Sequence, residues 1–181
     1  MSAHELTDEQ RDEIIGKMIK LLGRERKHPS SKELEGEIID YLSKKHPCAL
    51  ATCGKDGMPR VSIVDYMNDG LTIYILSEGG MKFTNIKENS NVAIGIGTST
   101  KTLRSVRGVN TWGTAEVFTD DTPEFAKALE LYKPILEDLE ELKGSPVQMP
   151  PGIMRLIRVT PTKMVYHHYN KSIGNAIWEA D

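Results

Sequence analysis

The 181-residue sequence predicts an α+β protein in which a small antiparallel β-barrel follows a pair of N-terminal helices. Apolar side chains recur at helical spacing over residues 1–45, whereas strand-length segments separated by turn residues fill most of the chain after Pro47. Helices interrupt these strands at only three points, unlike the regular strand–helix alternation of a βαβ-wound sheet. We therefore expect a helical extension over 1–45 and one compact barrel domain over 46–181.

Two capping boxes mark the N-terminal helices. Thr7 is followed three residues later by Gln10, and Ser30 is followed at the same spacing by Glu33. An apolar stripe at helical spacing comes after each box, so two amphipathic helices are predicted. The stripes consist of Ile14, Ile15, Met18, Leu21 and Leu22, and of Leu34, Ile38, Ile39 and Leu42.

The segments after Pro47 predict a three-stranded antiparallel meander. A turn at residues 54–57 joins strands at 48–52 and 60–67, and a second turn at 68–70 leads to a strand at 71–76. Gly79 and Gly80 then introduce a short helix.

Later strands are expected at 92–97 and 109–117, where Gly113 predicts a bulge or a close backbone approach. Thr122 as N-cap and Pro123 at the first position predict a helix that stops at Pro134 and is followed by a second helical piece. The last predicted strands, 153–159 and 163–169, flank the sequence Thr160-Pro161-Thr162.

Composition excludes several classes of protein. The formal charge of −3 and the 6% aromatic content argue against a nucleic-acid module. The most apolar stretches are strand-sized, far short of the ~18 residues that a membrane span needs, and the first residues are too polar for a secretory leader. Cys48 and Cys53 are too few for a disulfide scaffold. We expect a soluble cytoplasmic protein that binds neither nucleic acid nor membrane.

The sequence has only weak candidates for a metal-binding site or a dinucleotide-binding motif. His167 and His168 are adjacent in a predicted strand, so their side chains point to opposite faces and cannot share a metal without a bulge. Gly95 and Gly97 lack the third glycine and the following helix of a Rossmann fingerprint. We expect no metal site.

A phosphate cradle is the one site that the residues themselves suggest. Arg60 lies on the predicted second strand, and Ser77, the pair Gly79-Gly80 and Lys82 follow the third. Glycines let the backbone approach a ligand closely, and the N–H groups that begin a helix attract phosphate. The same two cations also suit a solvated surface and the glycines an ordinary turn, and Glu78 would repel an anion unless it points away.

Several ordered pieces of sequence resemble the pyridoxamine 5'-phosphate oxidase-related split-barrel family over roughly residues 39–116. The pieces are 48–52, 57–61, 71–77, Lys82, Asn85-Ile86, Asn89, Val92, 107–109 and 113–116. The resemblance implies a six-stranded split β-barrel, a homodimer, and flavin mononucleotide (FMN) held where the subunits meet.

The resemblance also assigns roles to individual residues. It implies that Arg60 and Lys82 contact the FMN phosphate and that the Ser77 hydroxyl belongs to the same cradle. Val61 and Ser62 match strand residues whose backbone lies along the isoalloxazine ring.

The sequence departs from the family's pattern at three other positions. Gly80 stands where relatives often carry Ser or Thr, and Met81 stands where many carry Arg. Gly108 falls where the true oxidases place a flavin-contacting Gln, so we name Asn110 or Trp112 as its substitute. An ordinary core or dimer-interface aromatic is the alternative reading of Trp112.

The resemblance implies an FMN-dependent oxidoreductase that passes electrons between a small-molecule donor and acceptor. A charged helix from Thr122 replaces the oxidases' substrate-binding stretch, and their basic, Trp-containing C-terminus is missing, so true pyridoxamine phosphate oxidase activity is not expected. No side chain stands out as a general base, and we name no catalytic residue. A non-catalytic flavin carrier or redox partner, or a barrel that binds deazaflavin F420 or haem, remains an alternative.

Overall fold

The computed structural model describes residues 6–44, 47–98, 101–146 and 152–180. Over these ranges no helix is long and apolar enough to cross a membrane. The helices are α1 (Asp8–Lys20), α2 (Ser31–Leu42), α3 (Met81–Glu88) and α4 (Pro123–Lys143). The strands are β1 (Cys48–Cys53), β2 (Pro59–Val64), β3 (Met67–Asp69), β4 (Thr72–Ser77), β5 (Asn91–Gly97), β6 (Arg107–Thr119), β7 (Arg155–His168) and β8 (Ile173–Glu179).

All eight strands belong to one antiparallel sheet with the order β2-β1-β5-β6-β7-β4-β3, and β8 also pairs with β7. The sheet is not closed, because β2 and β3 are edges that do not pair with each other. The main apolar core lies on one face of the sheet, where α2 contributes Ile38 and Leu42 and the strands contribute Leu50, Ile75 and Ile157. A smaller cluster packs α4 against the other face. The predicted antiparallel α+β split barrel is confirmed, although the described residues form eight strands and not six.

The predicted meander is wrong, and with it the single strand at 60–67. The chain leaves β2 at Val64, and β3 pairs with β4 on the far side of the sheet. Tyr66 lies at the break, where its side chain is buried and its hydroxyl donates a 2.8 Å hydrogen bond to the Leu42 carbonyl of α2. Pattern alone could not show this, since the anchoring carbonyl lies on another element.

Pro134 does not end a helix, contrary to the prediction. It lies inside the continuous α4, which ends at Gly144 in the left-handed conformation. Tyr132 anchors the helix just before the proline, because its hydroxyl donates to the Tyr74 carbonyl at 2.9 Å and accepts from the Leu76 N–H at 3.3 Å. The residues after Pro134 are mostly good helix formers, which offsets the lost hydrogen bond.

The two predicted C-terminal strands form one strand, β7, which runs through Pro161. The register shifts between Trp112 and Gly113, and Gly113 lies opposite Pro161. A side chain at Gly113 would overlap the Thr160 carbonyl oxygen and lie 2.9 Å from the Pro161 Cα. The close approach predicted for Gly113 is confirmed, and the bulge accommodates a proline that lacks a donor.

The N-terminal helices begin as predicted. Both capping boxes are formed, with Thr7 and Ser30 as the N-caps. The segment between the helices runs against the C-terminal part of the chain, where the Lys27 N–H donates to the Ser172 carbonyl at 2.9 Å. There the tail, for which the sequence shows no clear pattern, forms β8 and packs against α1 and α2.

Candidate functional site

The candidate site begins at one mouth of the barrel, where several strands end around α3. Arg60 pairs with Thr52 and Ser62 with the fully buried Leu50, so both lie on the core side of β2. Ser77 ends β4 opposite Arg155, the first residue of β7. The Ser77–Arg155 pair comes two residues after the buried Ile75–Ile157 pair, so it lies on the same core-side face and nearer the mouth.

Helix α3 is held across this mouth at its C-terminal end. The Asn85 amide donates a 3.0 Å hydrogen bond to the Thr52 hydroxyl, and both groups are buried. The Lys55 N–H donates to the Glu88 carboxylate at 2.9 Å. Arg60, across from Thr52, is thereby brought beside α3.

The N-terminal end of α3 lies open to a ligand. Gly80 is its N-cap, with a φ of 102° that favours glycine, and it supplies no side-chain hydrogen bond to the helix. A Cβ at this position would lie 3.5 Å from Lys82 Nζ and on a strained backbone. The exposed first turn of a helix attracts anions.

Lys82 and Ser77 lie at the two ends of the turn that leads into α3. The Lys82 ammonium group folds back, donates to the Gly79 carbonyl, and lies 5.1 Å from the centre of the Phe83 ring. Ser77 is 7% exposed. Glu78 between them is exposed to solvent.

Arg60 lies on the neighbouring hairpin and is partly engaged. Its guanidinium is 3.5 Å from the Asp56 carboxylate, and both side chains are about half exposed. The structure thus places Ser77 and Lys82 at the two ends of one turn. Arg60 comes from another element and is linked to α3 only through its strand partner Thr52, whose hydroxyl accepts from Asn85.

Val61, Asn110 and Trp112 lie on the opposite, outer face of the sheet. One row of paired residues consists of Val61, Ala51, Ala93 and Trp112, and the next consists of Ile63, Ala49, Gly95 and Asn110. Small residues in the middle of both rows leave a shallow cavity of about 250 Å³.

This outer face is apolar and exposed. Val61 is 64% exposed, Ile63 72%, and Trp112 45%. Because Trp112 is exposed in the chain by itself, the core alternative is wrong for this residue, and a surface role remains.

Edge strand β2 connects the mouth with the outer face. Arg60 and Ser62 face the core side and Val61 faces outward, while an edge strand also presents backbone N–H and C=O groups without ladder partners. The arrangement suits a ligand with an anionic end and a flat, largely apolar end that also forms hydrogen bonds.

A family model described as pyridoxamine 5'-phosphate oxidase matches residues 34–168. The chain belongs to this family. No curated protein matches the sequence.

Solved structures of other proteins share the fold of this pyridoxamine 5'-phosphate oxidase family member. A Listeria innocua protein provisionally named a pyridoxamine 5'-phosphate oxidase is 20% identical, with a TM-score of 0.57 over 75% of this chain and 99% of that one. The conserved hypothetical protein Rv2991 of Mycobacterium tuberculosis is 18% identical, with a TM-score of 0.59 over 76% and 86% of the chains. The haem storage protein HutZ of Vibrio cholerae is 20% identical, with a TM-score of 0.55 over 71% and 89%. At such identities the likeness shows the fold alone.

Two residues that the sequence did not single out for the site lie beside it. Arg155 reaches the mouth only through the register of β4 and β7, which no local pattern reveals. His167 lies opposite Gly108, where a Cβ would come within 3.1 Å of the imidazole Nε2 and 2.9 Å of the Ile96 carbonyl oxygen. The glutamine that the oxidases place at this position therefore has no room, and burial lowers the pKa of His167, which keeps its ring neutral at pH 7.

Proposed function

We propose that the chain binds FMN and acts as an oxidoreductase that passes electrons between a reduced donor and a small-molecule acceptor. The observation that carries the proposal is the continuity between the basic mouth and the shallow apolar outer face across edge strand β2. FMN has an anionic phosphate at one end, which suits the basic mouth, and a flat isoalloxazine ring at the other, which suits the apolar face. Membership of the family supports the same conclusion.

The residues divide between the two ends of the cofactor. Arg60, Ser77 and Lys82, with the N–H groups that begin α3, would hold the phosphate. The backbone of Val61 and Ser62 would run along the ring, and Asn110 and Trp112 would flank it. Bound flavin supplies hydride or single-electron transfer, while the protein orients the ring and excludes water.

A second copy of the chain would complete the site. The cavity of about 250 Å³ is below the ~300–1,000 Å³ usual for a small-molecule pocket, so one chain covers only one side of a ring. The exposed Val61 and Ile63, with Ile177 in the row of Asn110, provide an apolar surface for a two-fold partner. We propose a homodimer with two equivalent sites.

The visible absorption spectrum of the purified protein, followed by stopped-flow reduction with NADH and NADPH, tests this function. A flavin spectrum that bleaches with either nucleotide supports the oxidoreductase. A flavin spectrum that neither nucleotide changes favours the alternative of a flavin carrier or redox partner. Protein that stays colourless after incubation with FMN contradicts flavin binding altogether.

Haem is a second candidate ligand, and His167 is the observation in its favour. His167 pairs with Gly108, which lies two residues before Asn110 on β6, so the imidazole and Asn110 lie on the same outer face. Burial lowers the pKa of His167, and neutral imidazole is a common iron ligand. The same spectrum separates haem from FMN and from F420, and a haem band that His167→Ala shifts would assign the iron ligand.

We further propose that the chain does not oxidise pyridoxamine 5'-phosphate. Helix α4 follows β6 where the oxidases' substrate-binding stretch is expected. FMN-loaded protein is expected to form no pyridoxal phosphate beyond a single turnover, and sustained formation would contradict the proposal. A cytoplasmic location is proposed because Cys48 and Cys53 are free thiols.

A further inference from the structure

Arg155 places an additional cation at the barrel mouth. It begins β7 directly opposite Ser77 and lies on the core-side face of the sheet. Its guanidinium carbon is 5.4 Å from the centre of the Phe83 ring, and Lys82 Nζ is 5.1 Å from the same centre. Two cations from distant parts of the sequence therefore share one aromatic ring of α3.

The charge of Arg155 has no carboxylate partner among the described residues. Arg26, Arg60 and Arg158 each form an ion pair, with Asp12, Asp56 and Glu116 respectively. Arg155 forms a cation–π contact instead, and it does so beside a second cation. Lys82 likewise forms no ion pair with a carboxylate of the described residues, so an anion that enters this mouth meets two positive charges that no carboxylate neutralises.

Arg155 also brings a charge to the start of α3. Met81, the first residue of that helix, is uncharged and 52% exposed. Arg155 approaches the same end of α3 from the neighbouring strand, next to Ser77.

We infer that Arg155 binds the phosphate group of the cofactor together with Ser77 and Lys82. The inference rests on the proposed FMN function and adds a residue from β7 to it. The ligand chemistry is a terminal phosphate monoester. The cation–π contact with Phe83 holds the guanidinium at the mouth, where Arg155 is still exposed to solvent.

The test compares FMN with riboflavin, which has the same ring system and no phosphate. Calorimetric titration is carried out on the wild type, on Arg155→Gln, which removes the charge and keeps a similar length, and on Arg155→Lys, which keeps the charge. Arg158→Gln is the matched control, since Arg158 lies on the same strand, faces the other side of the sheet, and pairs with Glu116 at 2.7 Å.

Arg155→Gln is expected to weaken FMN binding roughly 10- to 100-fold and to leave riboflavin binding unchanged, as loss of a charge-assisted hydrogen bond predicts. Arg155→Lys should recover part of the loss, and Arg158→Gln should match the wild type. FMN binding that Arg155→Gln leaves intact, or an equal loss for both ligands, overturns the role of Arg155 while the proposed function stands. Wild-type protein that binds FMN no better than riboflavin overturns the phosphate site itself, and the inference with it.

Discussion

The polar groups at the start of α3 make few contacts within the chain, and a bound phosphate would give them a partner. Lys82 donates to the Gly79 carbonyl, and Gly80 leaves the start of α3 without a side-chain cap. These features were predictable in part, because the Gly79-Gly80 step and Lys82 are local in the sequence. Arg155 and His167 were not predictable as site residues, because strand register alone brings them there.

Lys82→Ala is expected to weaken FMN binding by roughly 10- to 150-fold, because a charge-assisted hydrogen bond contributes about 1.5–3 kcal/mol. Riboflavin binding should change little. Lys87→Ala is the control, since Lys87 is an exposed lysine on the same helix and near its other end. Isothermal titration in which Lys82→Ala and Lys87→Ala bind FMN equally well would remove Lys82 from the site.

Protonation of buried histidine is expected to lower the stability of the fold in mild acid. Burial lowers the pKa of His167 from its ordinary value of 6.5, and burial together with Lys171 and Arg107 lowers the pKa of His168. As the pH falls below about 6.5, the unfolded chain takes up these protons first, so the free energy of unfolding declines toward the lower folded-state pKa.

Urea denaturation at about pH 7.5 and about pH 5.5 measures this decline. His167→Gln should reduce the difference in the free energy of unfolding between the two pH values. His28→Gln, at an exposed position, should not. An identical pH dependence in the wild type and in both variants would show that His167 does not contribute.

At the scale of elements, the structure follows the sequence wherever the signals are local. Both capping boxes begin helices, and Thr122 with Pro123 begins α4. The departures at Tyr66, Pro134 and Pro161 share one cause, since each depends on a contact with a distant element. Tyr66 is anchored to α2, Pro134 follows a tyrosine bound to β4, and Pro161 lies opposite the bulge at Gly113.

The contact of α1 with β8 predicts the effect of one added methyl group. A Cβ at Gly174 would overlap Cγ2 of the buried Ile15, so Gly174→Ala should destabilise the protein by about 1–3 kcal/mol through overpacking. Gly36→Ala is the control, because nothing lies within 4 Å of its Cβ position and alanine favours the helix by about 0.5–1 kcal/mol. The penalty at Gly174 should shrink in an Ile15→Ala background, and a penalty of the same size there would point to another cause.

At the scale of the whole molecule, α4 covers the outer face of the sheet only near β4 and β7, and an apolar patch on β2, β1, β5 and β6 stays exposed. Its rows carry Val61, Ile63 and Trp112 around a cavity too shallow to enclose a ring. A second copy on this face would bury the side chains and cover the ring. Dimerisation and FMN affinity should then be coupled, because a ligand that binds only the dimer stabilises it by mass action.

Ile63→Glu is expected to convert the proposed homodimer to monomer and to weaken FMN binding at the same time. Ile63 is 72% exposed within one chain, so the substitution should leave the fold intact, whereas an unpaired carboxylate in an interface costs several kcal/mol. Leu142→Glu, at a 79% exposed position on α4, should change neither property. Sedimentation equilibrium and FMN titration of both variants check this. A variant that loses the dimer but keeps its FMN affinity would contradict the coupling of dimerisation with FMN binding.

Sedimentation velocity of the FMN-loaded wild type, recorded at the flavin absorption band as well as at the protein band, tests the central claim most directly. The shared-site account predicts that flavin sediments with a dimer, with one FMN for each chain. Flavin that sediments stoichiometrically with a monomer at micromolar concentration would contradict it.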